Sequence, residues 1–132
     1  MACLQGLNMA KDSNKFFELV RRPLTQQESD LVRWLIEHAQ ADVRDLLSQI
    51  ERLTVASKCT CGCPTVDFAL DGVPVERKGE KVISDWLAEV DGEPVGVMLF
   101  QTNGKISTLE VYSLAGTDKP FGLPAIDTMK GY

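Results

Sequence analysis

The chain has 132 residues, 44% hydrophobic and 25% charged, with a net charge of −5 and a pI near 4.8. That length suits a single domain, 1–132, able to bury roughly two-thirds of its unfolded surface, and the composition excludes a disordered chain. Basic residues pair only at Arg21-Arg22 and Arg77-Lys78, which excludes a general nucleic-acid binder needing clustered Lys and Arg to displace phosphate counterions.

The segment Met1 to Lys11 lacks a basic leader followed by a long apolar core, and no run approaches the roughly 20 apolar residues of a membrane span. Ala2 stands where myristoylation requires glycine. These features point to a cytoplasmic protein, a compartment that disfavours a framework of structural disulfides. Residues 1–15 read as a flexible arm. Phe16, Phe17, Leu19 and Val20 then open the apolar pattern as a short helix. It is broken at Arg22-Pro23, because the residue before proline is driven out of the α region. Thr25-Gln26-Gln27-Glu28 is a capping box, in which Thr25 and Glu28 satisfy each other's free backbone donors. Leu31, Val32, Leu35 and Ile36 recur at helical spacing, so the pattern predicts an amphipathic helix over 26–39. Asp42 is placed to cap a second helix, with Val43, Leu46, Leu47 and Ile50 as its buried stripe.

Beyond Leu53 the period changes from helical to alternating. Thr54 to Thr60 reads as a strand, and Val66, Phe68 and Leu70 alternate against Thr65, Asp67 and Ala69 in the next. Asp71-Gly72 ends it, and Val73 to Lys81 is polar, interrupted by proline and expected to be an exposed loop. Ser84 to Val90 is a third strand, with Trp86, Ala88 and Val90 on one face. Asp91-Gly92-Glu93-Pro94 turns it into Val95 to Gln101, and Asn103-Gly104 is a hairpin signal leading into Ile106 to Ser113. Residues 114–132, with Pro120 and Pro124, read as an irregular tail.

The expected architecture is therefore α+β: 16–53 helical, 54–113 a β-meander, with two to three helices packed on one face of an antiparallel sheet of about five strands. The other face carries Asp85, Leu87, Glu89 and Thr108 or Glu110. It is expected to be solvated, curled into a cleft or covered by a second subunit.

The densest chemistry lies in Lys58-Cys59-Thr60-Cys61-Gly62-Cys63-Pro64-Thr65. Thiolates are soft ligands suited to zinc or copper(I), so Cys59, Cys61 and Cys63 are candidate metal ligands. A closed zinc site takes four donors, and Cys3 or His38 could supply the missing one. The Cys-x-Cys-Gly opening resembles the short zinc-binding module at the tails of some secretion proteins. Here Cys63-Pro64 replaces that module's small and basic run, and its closing Cys-Cys or Cys-His pair is absent. The competing reading is of small residues packing a turn, where free cysteine is common.

A nucleophilic cysteine needs an imidazolium, a basic group or a helix N-terminus to lower its pKa. Lys58 points to the opposite strand face from Cys59. The single histidine, His38, shares the helix face of Leu31 and Leu35, where a packing role is expected. No third orienting group is identifiable. Asp85 and Glu89 lie about 13 Å apart along one strand by its rise, too far for an acid/base pair, and with Glu110 they read as solvated charges. No phosphate-cradling glycine motif occurs.

Leu24-Thr25-Gln26-Gln27-Glu28, Cys61-Gly62-Cys63-Pro64-Thr65 and Leu109-Glu110-Val111-Tyr112-Ser113 together resemble small uncharacterised bacterial proteins with a cysteine-rich turn between N-terminal helices and a C-terminal meander. The resemblance spans most of 24–113; it implies the fold order and no activity. The leading expectation is a small cytosolic, non-enzymatic binding or interaction domain. Its partner is a protein or small ligand, with neither nucleic acid nor membrane involved. The alternative is a thiolate site, zinc-binding or redox-active, at Cys59, Cys61 and Cys63. Leu87, Val97, Leu99, Leu109 and Val111 put apolar surface on both faces of the sheet. A homodimer or the tail residues Phe121, Leu123 and Ile126 would have to cover it.

Overall fold

The computed structural model describes residues 17–131; the arm assigned to 1–15, and Cys3 within it, lie outside the described residues. The fold is α+β. Strands β1 (Phe17–Pro23), β2 (Leu53–Cys59), β3 (Val66–Leu70), β4 (Val73–Pro74), β5 (Lys81–Val90), β6 (Glu93–Thr102) and β7 (Lys105–Ser113) build one seven-stranded sheet. Its order is β1-β2-β3-β7-β6-β5, with β4 paired to β3, and every strand pair is antiparallel.

The helical half is smaller than its pattern suggests. The capping box starts helix α1 (Gln26–Glu37) as expected: the Glu28 amide donates to Thr25 Oγ1 at 3.0 Å, and the Thr25 amide donates to Glu28 at 2.8 Å. Glu28 is buried, and Arg22 clamps it with donors at 2.8 and 3.0 Å. Burial alone would raise this carboxyl's pKa, but the Arg22 and Thr25 hydrogen bonds outweigh it and hold Glu28 below its ordinary range.

Phe17 to Pro23 forms the edge strand β1 and not a short helix. Pairing with β2 supplies backbone bonds that a four-residue helix could not, and Pro23 sits at the strand end, where a missing donor costs little. A bulge between Leu19 and Arg22 takes Arg21 to φ +47°. The second helix is a 3-10 helix, Arg44–Arg52, without a side-chain cap. Asp42 instead accepts from the Arg44 amide at 3.3 Å and from its guanidinium at 3.2 Å.

Sequence order predicted a meander of about five strands, and the topology departs from it at one point. β5, β6 and β7 do form a meander, but β7 returns to lie beside β3. The 71–80 connection therefore carries the chain from β3 to the far edge of the sheet, a Greek-key arrangement. Alternation within a strand fixes its faces and says nothing about which strand becomes its neighbour.

One sheet face packs against the helices. Val55, Phe68, Val97, Leu99, Leu109 and Val111 are fully buried there with Leu31, Val32, Leu35 and Ile36 of α1 and with Leu46 and Ile50 of the 3-10 helix. Each such side chain contributes about 1.5–3 kcal/mol by leaving water. Phe121, Leu123 and Met129 of the tail pack against this core, and Lys130 exchanges both backbone hydrogen bonds with Leu87 on β5. Ile126 stays 36% exposed.

On the opposite face, Gly96 of β6 lies beside Tyr112 of β7. A Cβ at Gly96 would overlap the Tyr112 ring and hydroxyl. Gly96→Ala is expected to destabilise the fold by about 1–3 kcal/mol through overpacking. In a Tyr112→Ala background the penalty should nearly vanish. Urea midpoints of the four variants in this cycle check the coupling; an unchanged penalty would mean that the ring is not the obstacle.

Candidate metal centre

The centre is the turn joining β2 to β3. Cys59 ends β2, and its amide donates to Thr65 O at 3.1 Å, closing the hairpin. Between them Gly62 adopts φ +99°, and a Cβ there would press on Pro120 at 3.1–3.2 Å. The Phe121 amide donates to Gly62 O at 3.1 Å, so the tail braces the turn from outside. Thr65 fastens the exit of the turn to β7: its Oγ1 accepts from the Val111 amide at 3.0 Å and donates to Val111 O at 3.1 Å.

This backbone turns all three sulfurs inward. Cys59 and Cys61 Sγ are 2.6 Å apart, Cys61 and Cys63 Sγ 2.9 Å apart, and all three lie within 4.8 Å of one another. The amides of Cys61 and Cys63 donate to the sulfurs of Cys59 and Cys61, each at 3.3 Å. Amide donors on sulfur stabilise thiolate charge and orient ligands around a metal. Zinc–sulfur bonds of about 2.3 Å set tetrahedral edges near 3.8 Å, so metal entry would spread the sulfurs by roughly 1 Å.

Cys59 is buried, and burial, then its contact with the Cys61 thiol and the nearby Asp67 charge, push its pKa up to about 12. A thiol held that high is no nucleophile at neutral pH; it ionises when a cation replaces its proton. Cys63 is engaged in a disulfide. An ion held by all three sulfurs would require that disulfide to be reduced and the thiols to ionise.

His38 is elsewhere. It ends α1 with its ring stacked on Trp34 at 4.0 Å and set edge-on to Trp86 of β5 at 6.4 Å, and its Nδ1 lies 2.9 Å from Trp34 O. Three strand boundaries separate β5 from β3. A cleft of about 590 Å³, lined by Gln40, Ala41, Val82, Ser84, Asp85 and Trp86 among others, opens on the same outer strand. Glu89 is ion-paired to Lys130 at 3.6 Å.

Glu110, read from the sequence as a solvated charge, is 2% exposed. The 71–80 connection explains the difference, because it folds Arg77 and Glu80 back onto the sheet instead of extending into solvent. Glu80 accepts from Ser107 at 2.7 Å and lies 2.5 Å from Thr108 Oγ1. Asp67 accepts from Ser57 at 2.9 Å, lies 3.0 Å from Thr108 Oγ1 and faces Arg77 at 3.6 Å. Thr108 has one hydroxyl proton to share between two carboxyls. Burial is the leading cause that raises the pKa of Asp67 and that of Glu110, the latter to about 7. The mid-strand acids Asp67 and Glu110 were the available signal for this cluster.

Fold and site together define an α+β protein with a Greek-key antiparallel sheet and a three-cysteine turn at its β2–β3 corner. No family model, curated protein or solved structure matches the chain. Among the described residues no helix is long and apolar enough to cross a membrane.

Proposed function

We propose that this is a small non-enzymatic metal-binding protein, in which Cys59, Cys61 and Cys63 hold one zinc ion that fixes the β2–β3 corner. The observation that carries the reading is the convergence of three sulfurs from a five-residue turn within 4.8 Å of one another. Zinc suits a thiolate-rich tetrahedral set without redox chemistry, and copper(I) is the competing soft ion. The raised pKa of Cys59 and the distance of His38 from the turn support a structural role over a nucleophilic one.

Protein purified without chelator and kept reduced is expected to carry about one equivalent of zinc by elemental analysis. Copper in its place would change the ion, and metal-free protein that takes up neither would sink the reading. A second reading, strand-to-strand contact with a protein partner, draws on the outer edge of β1, where Leu19 is 80% exposed.

A further inference from the structure

The sheet forks at the end of β3. On one side β2 follows β3 to its end, pairing Leu53 with Leu70 and Thr54 with Ala69. On the other side β3 changes partner: Val66 and Asp67 pair with β7, whereas Ala69 and Leu70 pair with β4. Continued without a break, the β7 register would set Leu70 opposite Lys105. The short strand β4 stands there instead, so β4 and the end of the β6–β7 hairpin part as two prongs.

At the fork lies a cleft of about 510 Å³. One wall is the apolar run Val73-Pro74-Val75, in which Val73 is 65% exposed and Val75 packs partly against the core. The facing wall is the β6–β7 turn, which supplies Thr102, Asn103 and Lys105. Thr102 and Lys105 are paired directly across that turn, which sets their Cβ atoms about 5 Å apart on one face.

The polar wall carries bonding capacity that the protein does not use. Thr102 is 4% exposed, and among the described residues its Oγ1 is the buried side-chain oxygen without a hydrogen-bond partner. An unpartnered buried hydroxyl destabilises the fold and asks for an explanation. Among the described residues no carboxylate pairs with the Lys105 ammonium. The other cation lining the cleft, Arg52, is already held by Asp71 at 2.8 Å.

We propose that the fork binds a small monocarboxylate with an apolar body. Its carboxylate sits on Lys105, Asn103 and the Thr102 hydroxyl, and its hydrocarbon lies along Val73, Pro74 and Val75. Lys105 supplies the charge, and Thr102 donates to the carboxylate the hydrogen bond it makes to no protein atom. Glu76 ends the apolar wall with no cation paired to it among the described residues. Its charge rejects a ligand carrying a second carboxylate at the far end. The site is at the opposite end of β3 from the cysteine turn, and its occupancy does not depend on a metal there.

The test titrates sodium hexanoate into the isotope-labelled full chain, beside hexylamine and the dicarboxylate adipate. Wild type should bind hexanoate saturably with a dissociation constant of about 1 mM or below. The amide shifts should centre on Val73, Val75, Thr102 and Lys105. Hexylamine and adipate should each bind at least about tenfold more weakly, and Lys105→Gln should weaken hexanoate by about the same factor. Thr102→Val keeps the side-chain shape and removes the orphan hydroxyl. It should raise the urea midpoint of the ligand-free protein while weakening hexanoate by about tenfold. A stabilised Thr102→Val that binds hexanoate like wild type would make the hydroxyl a packing defect and overturn the proposal. Equal binding of hexylamine, shifts centred elsewhere, or no saturation at tens of millimolar hexanoate would overturn it too.

Discussion

Replacing Cys61 by serine is expected to remove any stabilisation of this protein by added zinc while leaving the metal-free fold nearly unchanged. Cys61 is the central sulfur of the turn, in contact with Cys59 on one side and Cys63 on the other. Without it the turn offers only its two outer sulfurs, too few for a structural site. A ligand that binds only the folded state stabilises it by about 2.7 kcal/mol when present at 100 times its dissociation constant. Wild type in zinc should therefore unfold at clearly higher urea than wild type in chelator. Cys61→Ser should give a single midpoint under both conditions, close to that of metal-free wild type, because serine has nearly the shape of cysteine and Cys61 is only partly buried. Equal zinc-induced shifts in both proteins would show that the metal binds somewhere else.

The second large effect is a pH dependence centred on Glu110. Its folded-state pKa, near 7, lies above the ordinary 4.5, so folding favours the protonated form. The stability this contributes is fully present below about pH 4.5 and is lost as pH rises through 7. The full shift corresponds to a loss of order 3 kcal/mol between pH 5 and pH 8. Asp67, also raised, adds in the same direction, while Arg77 opposes both. Glu28, held low by Arg22, has the opposite sign, and its effect belongs to a more acidic range. Glu110→Gln keeps the shape and removes the ionisation. In chelator the variant should be the more stable protein at pH 8 and should lose its advantage at pH 5. Parallel stability profiles for the two proteins would refute the assignment.

What could be read in the sequence was what neighbouring residues decide among themselves. The Thr25–Glu28 box and the Asp91-Gly92 and Asn103-Gly104 turns are local, and both turns place residues in the left-handed region as their chemistry demands. Convergence of the cysteines belongs with them, since alternate thiols around a glycine and a proline have little choice but to meet. β1 escaped because its strand state comes from pairing with β2, more than thirty residues along the chain. The acid cluster escaped for a similar reason. Alternation assigned Asp67 and Glu110 to the face away from the core, and only the folded-back 71–80 segment makes that face dry. His38, read as a partly buried packing residue on the face of Leu31 and Leu35, is exposed instead, with its ring against the two tryptophans, one of them on the far edge of the sheet.

The return of β7 to β3 has a consequence during synthesis. The β2–β3 hairpin, with its cysteine turn, leaves the ribosome well before the strand that completes it: Thr65 and its anchor Val111 are separated by 46 positions. At 5–20 residues per second, the nascent hairpin waits about 2 to 9 seconds with one edge of β3 bare. A bare, apolar strand edge is a template for pairing with the wrong chain. Asp67 stands in the middle of that edge strand. In water, before burial raises its pKa, it is ionised, and a charge there discourages a second nascent chain from pairing. The same carboxylate becomes tolerable inside the finished protein once Ser57, Thr108 and Arg77 surround it.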